Sequence, residues 1–154
     1  MQRVAVVCLV LLLTLAGLFT CHLALARTAT REEAVKQMGS GFSRDALAIF
    51  QRLALDPKDD PEKVNADLVN ALNCLQRLNR EDELDVFREK VIAAHAGNWR
   101  LLATAGQSLL DSPHYGYLIS GVFKRGEHRG GGNMVDAQDR DRVRALTAKF
   151  PLPY

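Results

Sequence analysis

Residues 114–133 read "HYGYLISGVFKRGEHRGGGN" and gather two tyrosines, two histidines, three basic residues and six glycines in one short stretch. Three kinds of chemistry suit such residues. The backbone N–H groups of "RGGGN", with Arg125, His128 and Arg129 beside them, are the parts of a cradle for a phosphate or carboxylate. A nucleotide loop also places Lys-Ser/Thr just before its helix, and here that pair does not follow, so a surface connection is the plainer expectation. His114 and His128 are metal-ligand types, but no third ligand stands at a recognisable spacing. Tyr115 and Tyr117 fall on one side of an extended chain, where they either cover neighbouring helices or meet a partner.

Nothing else in the chain carries a catalytic pattern. It has no nucleophile elbow, Walker loop, HExxH or CxxC, and no pair of carboxylates is placed for acid–base work. The expectation is therefore a protein that is not an enzyme and holds no metal or cofactor. With Lys+Arg 20 against Asp+Glu 18 in 154 residues, the charge is nearly balanced. The basic residues are interrupted by acids, so nucleic acid is not expected as a partner. His95, at a predicted helix end, is expected to meet terminal carbonyls.

The elements that must position residues 114–133 are helical. "TREE" offers Thr30 as an N-cap with Glu33 reaching back, opening a first helix that ends at "GSG". A second begins near Ser43, with Phe42, Ala46, Ile49, Phe50 and Leu53 at helical spacing. After "DPKDDP", Asp60 is placed to cap and Pro61 to start a third, lined by Val64, Leu68, Ala71, Leu72, Leu75 and Leu78. "NRED" turns the chain into a fourth, lined by Leu84, Phe87, Val91 and Ala94. A fifth carries Trp99, Leu102, Ala103, Gly106, Leu109 and Leu110. The mixed aromatic, β-branched and glycine run at residues 115–123 suits an extended segment or short strand. "KRGEHRGGGN" reads as a flexible loop, and Asp136 as the cap of a last helix bearing Val143, Leu146 and Phe150 on one stripe.

The N-terminus reads as an address. An apolar run at residues 4–19 follows Arg3, and Ala24 and Ala26 form an A-x-A pattern, so cleavage is expected between Ala26 and Arg27. Retention as a membrane anchor by residues 4–26, or acylation at Cys21, are the alternatives. With Cys8 and Cys21 removed, Cys74 is the one cysteine left in the mature chain and cannot form an internal disulfide. It sits in a strongly periodic helix, as a small buried apolar residue does.

Two resemblances enter on quoted residues. "GFSRDALAIFQRLALDP" resembles the second helix of a tetratricopeptide repeat through Gly41, Ala46, Phe50 and Pro57, and the helix from Trp99 resembles a repeat's first helix through Leu102, Ala103 and Gly106. "NWRLLATAG", "PHYGYLISGVFKRGEHRGGG" and "DRDRVRAL" together resemble the N-terminal helical region of large bacterial alpha-2-macroglobulin-like proteins. That family traps proteinases with a bait region and often a Cys-Gly-Glu-Gln thioester. This sequence has no such motif and no macroglobulin sandwich, so trapping does not carry over. The resemblance assigns no catalytic residue to Tyr115, Arg125, His128 or Arg129.

The expectation is thus a mostly α protein of tetratricopeptide-like hairpins, periplasmic or secreted. Residues 1–26 form the signal, 27–112 the hairpin region, 113–134 an extended Tyr/Gly/Arg-rich segment, and 135–154 a C-terminal helix and tail. Its expected role is binding another protein, with Tyr115, Tyr117, Arg125, His128 and Arg129 as candidate contacts. Anion or small-ligand binding through the Gly/Arg-rich loop is one alternative. A truncated relative without an independent role is another, and the membrane enters only if the N-terminal segment is uncleaved.

Overall fold

A computed structural model describes residues 30–128, Gly130, residues 133–136, Arg142, Ala145 and Leu146. The signal segment, Arg129 and most of the predicted last helix lie outside the described residues, although Arg142, Ala145 and Leu146 are helical. The protein is mostly helical, with a small three-stranded antiparallel sheet. In order come α1 (Arg31–Gly39), α2 (Ser43–Ala54), α3 (Val64–Arg77), a 3₁₀ turn (Glu81–Glu83), α4 (Leu84–Ala94), α5 (Trp99–Leu110), β1 (Tyr115–Ile119), β2 (Val122–Arg125) and β3 (Asn133–Asp136). Among the described residues no helix is long and apolar enough to cross a membrane.

Local chemistry explains the helix ends. The Thr30 hydroxyl accepts from the Glu33 N–H at 3.2 Å, as an N-cap should. The Glu33 carboxylate does not complete a box, since it accepts instead from the Gln37 amide one turn on. Gly41 takes φ +87° after α1, where a side chain would be strained, and Phe42 N–H returns to Gln37 C=O at 2.9 Å. Asn79 plays the same part after α3 at φ +54°, with Arg80 N–H bonded to Leu75 C=O at 3.0 Å. Asp60 does cap, but one turn early. Its carboxylate accepts from Glu62 N–H, its carbonyl accepts from Lys63 and Val64, and the regular helix starts at Val64 rather than Pro61.

One core runs through the helices, with α3 in the middle touching α2, α4 and α5. The α3 stripe falls as predicted: Val64, Leu68, Ala71, Leu72 and Leu75 are buried, with Leu78 packed at the edge. Cys74 is buried among them, and burial pushes its thiol up, which keeps it protonated and unreactive.

Three predicted faces need correction. Phe42 is exposed, and Leu47 takes the inward place on α2. Ala94 is only half-buried, whereas Arg88 and Ile92 are buried on α4. On α5 Trp99 and Leu110 are exposed, and Leu101, Leu102, Ala105, Ser108 and Leu109 face inward. On the sides where α4 and α5 meet, buried Arg88 donates to Ser108 and Ser112, so these faces carry a polar contact that apolar periodicity does not register.

Polar ties add direction to this packing. Arg31 on α1 donates to both oxygens of the fully buried Asp67 on α3, at 2.8 and 3.0 Å from Nε, and also to Asp59. Burial pushes the Asp67 carboxyl above its ordinary value despite that guanidinium. His95 closes α4, and its Nε2 lies 3.0 Å from the Ala54 carbonyl at the end of α2. It meets a terminal carbonyl as predicted, but that of a neighbouring helix.

Candidate functional site

The stretch at residues 114–133 folds as part of the sheet. Residues 119–122 form a two-residue hairpin, with Ser120 at φ +51° and Gly121 at φ +78°, the backbone twist that tight hairpins use. β1 is the central strand, pairing with β2 on one side and β3 on the other, both antiparallel. Lys124 and Arg125, predicted as loop, belong to β2, and Asn133 opens β3. Pairing with β1 draws both ends of the predicted loop into regular structure.

Register divides the sheet into two faces. Tyr115, Tyr117, Ile119, Val122, Lys124, Met134 and Asp136 share one, and Gly116, Leu118, Phe123, Arg125 and Val135 the other. The Gly116 side is turned to the helices. A Cβ at Gly116 would collide with the Lys124 carbonyl and stand 2.7 Å from the Phe123 ring, so only glycine fits beneath that ring. On the opposite face Tyr115, Val122 and Met134 are exposed, while Tyr117 is half-buried beside His128, ring centroids 6.0 Å apart. The two tyrosines therefore do share a side.

Arg125 is the clearest surprise. Its side chain is 2% exposed, and its Nε donates to both oxygens of Asp85 on α4, at 3.1 and 3.0 Å. Its Nη1 donates to the Pro113 carbonyl, and the guanidinium lies over the Phe123 ring. The same Asp85 accepts from Arg88 at 2.6 Å. Arg88 is itself fully buried and donates to Ser108 Oγ at 2.8 Å and Ser112 Oγ at 2.9 Å. One carboxylate thus joins α4, the end of α5 and β2. Charged groups out of water persist only when paired and hydrogen-bonded in this way. The network orients structure rather than presenting an anion cradle.

Of the other candidates, His128 is exposed, and Arg129 lies outside the described residues. Among the described residues no three His, Cys, Asp or Glu side chains converge as metal ligands do. Sequence reasoning missed Asp85 and Arg88. Their signal was present: Arg88 stands four residues after Leu84 and beside Phe87, inside an apolar stripe, with a carboxylate three residues before it.

The helical part offers a groove of 270 Å³ between α3 and α5. Val69 and Leu72 supply apolar lining, Asn73, Gln76 and Gln107 supply carboxamides, and Asp111 is the one charged group along it. Ser108 and Ser112 belong to the same wall, so the network that holds the sheet also shapes the groove. Carboxamides donate and accept at once, which suits pairing with an extended peptide backbone. Compared with protein-family models, curated proteins and solved structures, the chain matches none of them.

Proposed function

We propose that this is an exported, non-catalytic helical-repeat protein of tetratricopeptide-like type that binds another protein through the α3–α5 groove. The groove, with its apolar floor and three carboxamides, is the observation that carries it. Repeat character draws support from the packing, in which α3 touches α5 as well as the intervening α4, as alternate helices of stacked pairs do. The Gly-rich stretch, kinship with the leader region of alpha-2-macroglobulin-like proteins and a periplasmic or secreted location belong to the same proposal. The partner is a protein, not nucleic acid, and the membrane is involved only through residues 4–26 if they are retained. Anion binding draws no support from Arg125, whose guanidinium is turned onto Asp85.

The test is site-directed photo-crosslinking of the full chain in the cells that make it. A crosslinker placed at Asn73 or Gln107 should capture the same protein, and one at exposed Lys58 should not. The captured protein should then bind the purified chain, and Gln76→Ala should weaken that binding. Capture from Lys58 alone would sink the groove as the binding surface, and capture from Tyr115 alone would move it to the sheet.

A further inference from the structure

The sheet face turned away from the helices stays open. Tyr115 is 40%, Val122 56% and Met134 68% exposed, with Tyr117 and Ile119 half-buried between them. Register places these five side by side. Tyr115, Tyr117 and Ile119 lie along the central strand β1, Val122 on the β2 flank and Met134 on the β3 flank. Single apolar residues on a surface are ordinary, but a contiguous group on one face marks a place where something docks. Tyrosine and methionine are also among the residue types that interfaces favour.

Two charges share this face, at opposite edges. Lys124 on β2 stands beside Tyr117, and Asp136 on β3 stands beside Tyr115, one row further along. Among the described residues neither is held in an ion pair. Glu83, which lines a neighbouring groove with Lys124, is already held at both oxygens by Arg80. From edge to edge the face therefore reads cation, apolar strip, anion.

That order selects the occupant. A complementary surface must read anion, apolar strip, cation, and a second copy of the same face reads so when turned over about an axis along β1. Such an axis lays β2 of one copy over β3 of the other. Each Lys124 then comes over Met134, within reach of Asp136 one row away, and the contact is made twice, as two-fold symmetry requires. An axis across the strands would lay β2 on β2 and bring the two Lys124 together, which like-charge repulsion disfavours. Stacked sheets stand about 10 Å apart, a gap that tyrosine, methionine and lysine side chains from both copies fill. We infer that this face is the docking site for a second copy of the chain, in a two-fold stack of sheets closed by paired Lys124–Asp136 contacts. Three short strands bury less than the about 1,000 Å² that stable interfaces reach, so the dimer is weak and dissociates on dilution. None of this depends on the role of the α3–α5 groove.

The test is sedimentation velocity on the chain as its cells process it, over a range of concentrations from micromolar to millimolar. A monomer–dimer equilibrium is expected. Met134→Ser should weaken it without altering the circular dichroism. Lys124→Asp and Asp136→Lys should each weaken it by about tenfold, because two attractive contacts become two repulsive ones. An equal mixture of those two variants should recover the dimer, since each copy then meets an opposite charge at both edges. That recovery also shows that both variants fold. A monomer at every concentration overturns the inference. So does a dimer that none of the three substitutions weakens, which would form through another surface. Failure of the mixture to recover the dimer would overturn the two-fold pairing of Lys124 with Asp136.

Discussion

The helical stack and the sheet are held by different physics. From α1 to α5 the chain is ordered by a continuous apolar core, in which Phe50, Leu68, Leu75, Leu84 and Leu101 are fully buried. The sheet shares little of that core. It is fixed to the helices by Arg125 on Asp85, by Gly126 tucked against Glu81, and by one strand register that leaves room for Phe123. Apolar burial is non-directional and spreads its stabilisation over many residues. A charge network is directional and fails at single atoms. The stack should therefore lose stability gradually when trimmed, whereas the sheet should come away when one residue is changed.

The largest expected effect is at the joint. Asp85→Ala leaves two buried guanidiniums without their shared carboxylate, which should cost about 3–5 kcal/mol. Chemical denaturation followed by tyrosine signals, and separately by helical circular dichroism, should show the sheet leaving first. Coincident transitions would mean that the two regions form one cooperative unit and would remove the contrast.

Leu75→Ala, in the centre of α3, should cost about 2–5 kcal/mol and lower both transitions together, because its cavity opens in the core that every helix shares. Gly116→Ala sharpens the contrast from the other side. The added methyl meets a carbonyl and an aromatic ring, so the hairpin must shift, at about 1–3 kcal/mol, with faster amide exchange in β1 and β2 and none in α3. Asn79→Ala, at a left-handed position, should cost about 1–2 kcal/mol and act on the helices alone.

The smallest effects are in pH dependence, and two carboxylates should differ in sign. Glu83 is held below its ordinary value, chiefly by its hydrogen bond from Arg80. Its stabilising contribution is present above the unfolded-state pKa of about 4.3 and is lost as pH falls through the lower folded value. The pair is 41% and 42% exposed, so Glu83→Gln should remove less than about 1 kcal/mol of that acid-side slope. Asp67 is pushed the other way by burial. Its contribution is complete below the unfolded value of about 3.9 and is lost as pH rises through the higher folded value. Asp67→Asn should therefore flatten the alkaline limb of that window, in melts measured at a series of pH values.

How far each region was legible follows from the same contrast. The α3 stripe could be read directly, because six apolar side chains recur at one period, although the buried Asp67 beside Leu68 was not legible without Arg31 to pair it. α5 could not be oriented correctly, because Trp99 and Leu110 carry as much hydrophobicity as the residues that turned inward. Its buried side includes Ser108, whose partner is a guanidinium twenty residues away in the chain. β3 was invisible as a strand, since four residues beside a glycine run become regular only when β1 is alongside. Of the candidate contacts, the common side of Tyr115 and Tyr117 followed from strand alternation. The inward turn of Arg125 depended on Asp85, forty residues earlier.

Sequence by itself determined where α1 to α5 lie, to within a turn at the start of α3, together with the Thr30 cap, the turns at Gly41 and Asn79, the burial of Cys74 and the extended character of residues 115–123. These follow from interactions within a few residues of each other, where side-chain period, caps and backbone sterics act. Tertiary structure alone decided which face of α5 is inside, that Arg125 is a tie rather than a surface contact, and that Trp99 is exposed with the Arg100 guanidinium over its ring. Those outcomes depend on which distant charge, carbonyl or ring arrives to meet each side chain, and no local period encodes that meeting.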